Sequence, residues 1–362
     1  MRKSFYLVVL VCALLLSGCG KQEVAPEVMV PEVEAPVVTE TEVTETEVTE
    51  PEIETSEPAE SLEPLVELSG LKDDMYTATE DFYVLGDHVV FFVKEGATVR
   101  GDMLINAEKV LSEVEDFLCI KYDGASKYVC GMLWREQCFT ADSFIGINSA
   151  HERIEIVLLP QVPIYLEYAW EGGVMLYDED FDYDNCYLET VYHEMTHAVR
   201  MSAGVNLGRT LEEGIAVYTQ EWMGKKIGPI WSSLQYYSPS KYDESICKEG
   251  EAGFKADYTD NNNDRYQYGM RLVTYLVKTY GNGVILDITK EANAQSLYLE
   301  WSEDDSTEKT NDAAVLNVLK AATSDSVLVD FSKWYDSGWQ NTKDEYCEYM
   351  KQYEPDIYSY ID

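Results

Sequence analysis

Histidine is nearly absent from this chain, with four residues among 362. Any chemistry that needs an imidazole falls to His88, His151, His193 or His197, and no histidine follows His197. There is no Cys-x-x-Cys pair, which argues against a zinc site built from thiolates. Basic residues are few: 27 Lys and Arg stand against 67 Asp and Glu, for a net charge of −40. Such a surface repels phosphates, so nucleic acid is excluded as a partner. Beyond Leu16 no apolar run is long enough to span a bilayer.

Two of the four histidines stand together in His193-Glu194-Met195-Thr196-His197, the pattern H-E-x-x-H. Residues four apart share one face of a helix, so both imidazoles can reach one metal ion, and Glu194 can act on a water beside it. The surrounding residues read as a helix over Tyr187 to Ala203. Leu188, Val191, Tyr192, Met195, Ala198 and Val199 recur at helical spacing. Asp184 or Asn185 can cap the start, and Gly204 stands where a helix commonly stops. A catalytic zinc takes three protein ligands and keeps one position open. The third ligand is expected downstream, on a second helix opening at Thr210-Leu211-Glu212-Glu213-Gly214-Ile215-Ala216-Val217-Tyr218. Thr210-x-x-Glu213 also has the spacing of a capping box, and the two roles are compatible.

H-E-x-x-H followed by L-x-E-G-x-A-x-Y resembles the gluzincin zinc metallopeptidases, in particular the peptidase MA-like group, over roughly residues 187 to 222. The resemblance implies zinc as cofactor, His193 and His197 as ligands, and Glu213 as the third. Glu213 stands sixteen residues after His197, and Glu212 is read as its neighbour. It implies Glu194 as general base for hydrolysis of a peptide bond. Members of the group often stabilise the oxyanion with a downstream Tyr or His. With no histidine left, a tyrosine of Tyr266-Gln267-Tyr268-Gly269 is expected, Tyr266 first and Tyr268 second. No G-x-M-E-N-type segment for gripping a free amine is present, and Glu171-Gly172-Gly173-Val174-Met175 lacks the Glu-Asn pair. The expectation is therefore an endopeptidase acting on peptide or protein substrates.

The N-terminus points to location. Arg2-Lys3 precedes an apolar run from Phe5 to Leu16, the length of a signal segment, closing in Leu16-Ser17-Gly18-Cys19. This resembles a bacterial lipobox and implies removal of residues 1–18, lipid attachment at Cys19, and tethering to the extracytoplasmic face of a membrane, at the cell surface. Residues 19–68 then read as a disordered tether. From residue 20 on it holds 15 Glu, no Asp and one Lys, for a net −14, interspersed with prolines, and cannot bury a core. Extended, it would reach roughly 160 Å. With that −14 and the two leading basic residues set aside, −28 remains on residues 69–362, the expected metallopeptidase domain with its active-site core at about 150–290.

That domain reads as α+β and zincin-like, with a mixed N-terminal β/α lobe, a mainly helical C-terminal lobe and the metal site in the cleft between them. Strands are expected at Tyr83–Leu85, Val89–Val93, Tyr128–Trp134 and Arg153–Leu159, the last ending at Pro160 as an edge strand would. By the resemblance, it would pair with extended substrate. Helices are expected at Asp102–Leu118, Tyr266–Tyr280, Val284–Ala292, Asp312–Ala322 and Val327–Trp334. The acidic clusters Asp178–Asp184 and Asp257–Asp264 offer carboxylates for a Ca2+ ion, though neither has EF-hand spacing and solvated loops account for both. Six cysteines besides Cys12 and Cys19 permit disulfides in fifteen full pairings, or buried thiols. Two functions follow: a lipid-anchored extracellular zinc peptidase, or a surface lipoprotein that binds zinc without turnover.

Overall fold

The computed structural model describes residues 75–122, 124, 139, 147–148, 150–160, 168–170, 172–178, 188–224, 244–255, 262–299 and 305–353. These all lie within one compact unit. The expected signal, Cys19, the tether, the strand at Tyr128–Trp134, and Cys130, Cys138 and Cys186 lie outside the described residues. No helix among the described residues is long and apolar enough to cross a membrane.

The fold is α+β. A five-stranded mixed sheet has the order β2 (Phe82–Leu85), β3 (Val89–Val93), β5 (Ile154–Leu159), β7 (Gly173–Tyr177) and β6 (Tyr168–Trp170). A separate two-stranded ribbon joins β1 (Met75–Thr77) to β4 (Thr98–Arg100). Strands β3, β5 and β7 run parallel, while β2 and β6 pair antiparallel at the two ends. The sequences VVFFV, IEIVLL and GVMLY carry apolar runs rather than alternation because both sheet faces are covered. Ile154, Ile156 and Leu158 face the main core, which also holds Val110 and Val114 of α1 (Met103–Leu118) and Val191 and Met195 of α2 (Leu188–Ser202). Val157 and Leu159 face the other way, into a smaller cluster with Val90, Phe92, Phe139 and Met175. Each such buried side chain is worth about 1.5–3 kcal/mol.

The edge-strand expectation for Arg153–Leu159 is corrected here. β5 is the central strand, bonded to β3 on one side and β7 on the other, and all six of its residues are buried. Pro160 ends the strand by lacking an N–H, not by marking an edge. At the α2 end of the sheet the last strand among the described residues is β6, which packs with β7 against α2.

Downstream of the sheet the described residues are mainly helical, with α3 (Arg209–Gly224), α4 (Glu251–Phe254), α5 (Asn262–Tyr280), α6 (Gly283–Ala294), α7 (Asp305–Ala322), α8 (Val327–Trp334) and α9 (Gln340–Tyr353). α5 stops where expected, at Gly281, whose φ of 83° suits glycine. Helix α7 begins seven residues before its expected start. A π-helical turn, Tyr335–Trp339, joins α8 to α9.

Candidate metal centre

The apolar stripe of α2 fixes the helix against the core, leaving His193 and His197 one turn apart on the adjoining face. The helix ends in a Schellman motif. Gly204 N–H donates to Met201 O at 2.8 Å, Val205 N–H donates to Arg200 O at 3.2 Å, and Gly204 takes φ 75°. The chain then turns back into α3 within a few residues. Gly208 N–H donates to Asn206 Oδ1 at 3.2 Å and Leu207 N–H to Glu212 Oε1 at 2.9 Å. The expected capping box is therefore corrected: Thr210 lies inside the first turn, and Glu212, not Glu213, reaches back to the chain before the helix.

Glu212 does more than cap. It holds Arg200 in a two-pronged ion pair, Nε to Oε2 at 2.6 Å and Nη2 to Oε1 at 2.8 Å. Both side chains are buried, at 0% and 2% exposure, so neither charge has water to fall back on. Arg200 Nη1 also donates to Thr289 Oγ1 at 3.1 Å, which ties α2 and α3 to α6. With Glu212 anchored, the next residue, Glu213, is turned about 100° further round the helix, toward the histidines.

His193, His197 and Glu213 bring one ligand atom each together. His193 Nε2 is 3.1 Å from Glu213 Oε2, His197 Nε2 is 3.2 Å from His193 Nε2, and His197 Nε2 is 3.4 Å from Glu213 Oε2. An ion with bonds of about 2.0–2.1 Å in tetrahedral geometry needs ligand atoms about 3.3 Å apart. The three separations meet that requirement, so two imidazoles and a carboxylate could together hold one metal ion. Among the described residues, this is the one group of His, Cys, Asp or Glu side chains that converges so as to hold a metal ion. Burial alone would push the Glu213 carboxyl up. The adjacent His197 and His193 imidazoles outweigh it and hold the carboxyl well below the usual carboxylate range.

Glu194 follows His193 on α2 and is half-buried. Tyr266, at the start of α5, is half-buried with its ring stacked on His193, centroids 6.2 Å apart and planes 17° from parallel. Tyr268 is two positions on and faces elsewhere: it is fully buried, 5.7 Å from Phe331 and 6.4 Å from Phe254 between ring centroids. The expected pair is thus split, with Tyr266 at the metal group and Tyr268 in the core.

The approach of α5 to α3 depends on two glycines. A Cβ on Gly214 would lie 2.4 Å from the carbonyl carbon of Gly269, and one on Gly269 would lie 2.1 Å from Thr210 O. Two glycines face each other where the helices cross, which lets the backbones touch and sets Tyr266 over His193. Gln220 is a contact that the motif spacing does not announce: its Oε1 lies 3.0 Å from His193 Nδ1. The signal was present all the same, since Gln220 stands seven residues after Glu213, two turns along the same face.

The calcium expectation finds no support among the described residues. Asp178 Oδ2 accepts the Thr98 N–H at 2.7 Å, and residues 179–184 and 257–261 lie outside the described residues. Cys119 is an exposed thiol at the end of α1. No protein-family model matches the chain, and no curated protein matches it.

Proposed function

We propose that the chain is a zinc-dependent metallopeptidase, a gluzincin of the peptidase MA-like kind with a zincin-like fold. The observation that carries this is the convergence of His193 Nε2, His197 Nε2 and Glu213 Oε2 within 3.4 Å of one another, with Glu194 next to the first ligand. When bound, zinc supplies a Lewis acid and makes water acidic near neutral pH. Glu194 takes the proton from the attacking water and returns it to the leaving amine. Tyr266, stacked beside His193, donates its O–H to the developing oxyanion. The substrate backbone runs along β6, at the end of the sheet packed on α2, as an added strand. Endopeptidase action is proposed because the sequence holds no G-x-M-E-N-type grip for a terminal amine. Lipid at Cys19 would hold the enzyme on the extracytoplasmic face of a bacterial membrane, with the acidic tether as spacer.

The test is cleavage of a broad library of internally quenched peptides by the full chain and by Glu194→Gln. Activity in the wild type that drops by at least about 100-fold in the variant supports the peptidase, since general acid–base groups contribute about 10²–10⁴-fold. A folded, zinc-loaded wild type that cleaves nothing would leave the zinc-binding surface lipoprotein as the function.

A further inference from the structure

We infer that Gln220 is a positioning residue that sets which nitrogen of His193 is offered to the metal. The inference rests on His193, His197 and Glu213 being the metal ligands. A neutral imidazole carries one N–H and one bare nitrogen, and only the bare nitrogen can ligate. The Gln220 carbonyl oxygen, 3.0 Å away, accepts the His193 Nδ1–H. That leaves Nε2 bare, and Nε2 is the atom facing Glu213 Oε2 and His197 Nε2. In this tautomer two bare or anionic acceptors, His193 Nε2 and Glu213 Oε2, stand 3.1 Å apart, an arrangement that a cation between them relieves.

The support is one-sided. His197 is 5% exposed, and its Nδ1 is buried with no hydrogen-bond partner among the described residues. Behind the two imidazoles, Gln220 is therefore the contact on His193, and the corresponding nitrogen of His197 has none. Gln220 is also neutral. Metal-bound histidines are commonly backed by a carboxylate or carbonyl, and a carboxylate raises ligand basicity more than an amide does. An amide here orients His193 while giving up part of that gain. It follows that zinc affinity should move in opposite directions when the amide is removed and when it is made anionic.

The experiment measures the zinc dissociation constant of the full chain by competition with a chromophoric chelator, for wild type, Gln220→Leu and Gln220→Glu. Nitrogen-15 NMR of the histidines in the metal-free proteins is recorded alongside. Gln220→Leu should weaken zinc by about 10–100-fold, the usual effect of losing such a partner. Gln220→Glu, close in shape, should bind zinc more tightly than wild type. The His193 spectrum should show the Nδ1–H tautomer in wild type and Gln220→Glu, and a tautomer mixture in Gln220→Leu. A merely structural glutamine would make both variants weaker. Equal affinities across the three proteins, or weaker zinc in Gln220→Glu, would overturn the inference while leaving the metal site standing. If Gln220→Leu does not fold, Gln220→Glu and the wild-type spectrum decide. A folded wild type that binds no zinc would instead overturn the metal reading itself.

Discussion

Breaking the Arg200–Glu212 pair tests the logic that places Glu213. Both charges are buried, at 0% and 2% exposure, and they are joined by two hydrogen bonds of 2.6 and 2.8 Å. Removing one partner leaves the other charge uncompensated in a dry site, which costs about 3–5 kcal/mol. Glu212→Leu and Arg200→Met should therefore each lose about that much. The double variant removes both charges and replaces them with apolar groups of similar bulk, a change that is often near neutral. Its remaining defect is the Leu207 N–H, which Glu212 now satisfies, and an orphaned buried donor costs about 1–3 kcal/mol. Thr289 keeps its own bond to Ile285 O at 2.8 Å and adds nothing. Even with the singles at about 3 kcal/mol each and the double at about 3, the coupling is about 3 kcal/mol. Urea unfolding of the four proteins, followed by circular dichroism and extrapolated linearly, gives the cycle. Singles that cost under about 1 kcal/mol, or a double equal to their sum, would refute the buried pair as the anchor between α2 and α3.

Other outcomes follow from the same geometry. Gly214→Ala should destabilise by about 1–3 kcal/mol, because its Cβ meets backbone of Gly269 that cannot yield, and this outweighs the gain in helix propensity. Gly283→Ala, with nothing within 4 Å, is the control and should be neutral or stabilising by up to about 1 kcal/mol in the same unfolding assay. Tyr266→Phe should lower kcat by about 10²–10³-fold with little change in KM, whereas Tyr268→Phe should leave kcat within about twofold; equal effects would remove Tyr266 from the oxyanion site.

Much of the site was legible because its signals are local. The four-residue spacing of His193 and His197 and the apolar stripe from Leu188 to Val199 fix a helix and one of its faces. Gly204 announces the stop, and the φ of 75° shows why glycine stands there. The buried strand runs were legible for a similar reason, since Val89–Val93 is apolar throughout and Ile154–Leu159 is apolar but for Glu155. Pairing order was not. A run such as IEIVLL suits any strand covered on both faces, so β5 reads the same at an edge or at the centre, and only its partners β3 and β7 decide. The role of Glu212 was hidden for another reason. Adjacent Glu212 and Glu213 look alike in sequence, and it is the distant Arg200 and Thr289 that assign one to an ion pair and leave the other for the metal. The choice between Tyr266 and Tyr268 needed the phase of α5, which the Gly214–Gly269 crossing sets.

Under the proposed function His193, His197 and Glu213 hold one zinc ion. The most direct measurement is metal content by elemental mass spectrometry of the purified full chain after extensive dialysis, wild type beside Glu213→Ala. About one zinc per wild-type chain and clear loss in the variant are expected, because one of three protein ligands is removed. Little zinc in folded wild type after the metal is supplied and the excess removed, or equal zinc in both proteins, would contradict the proposed site.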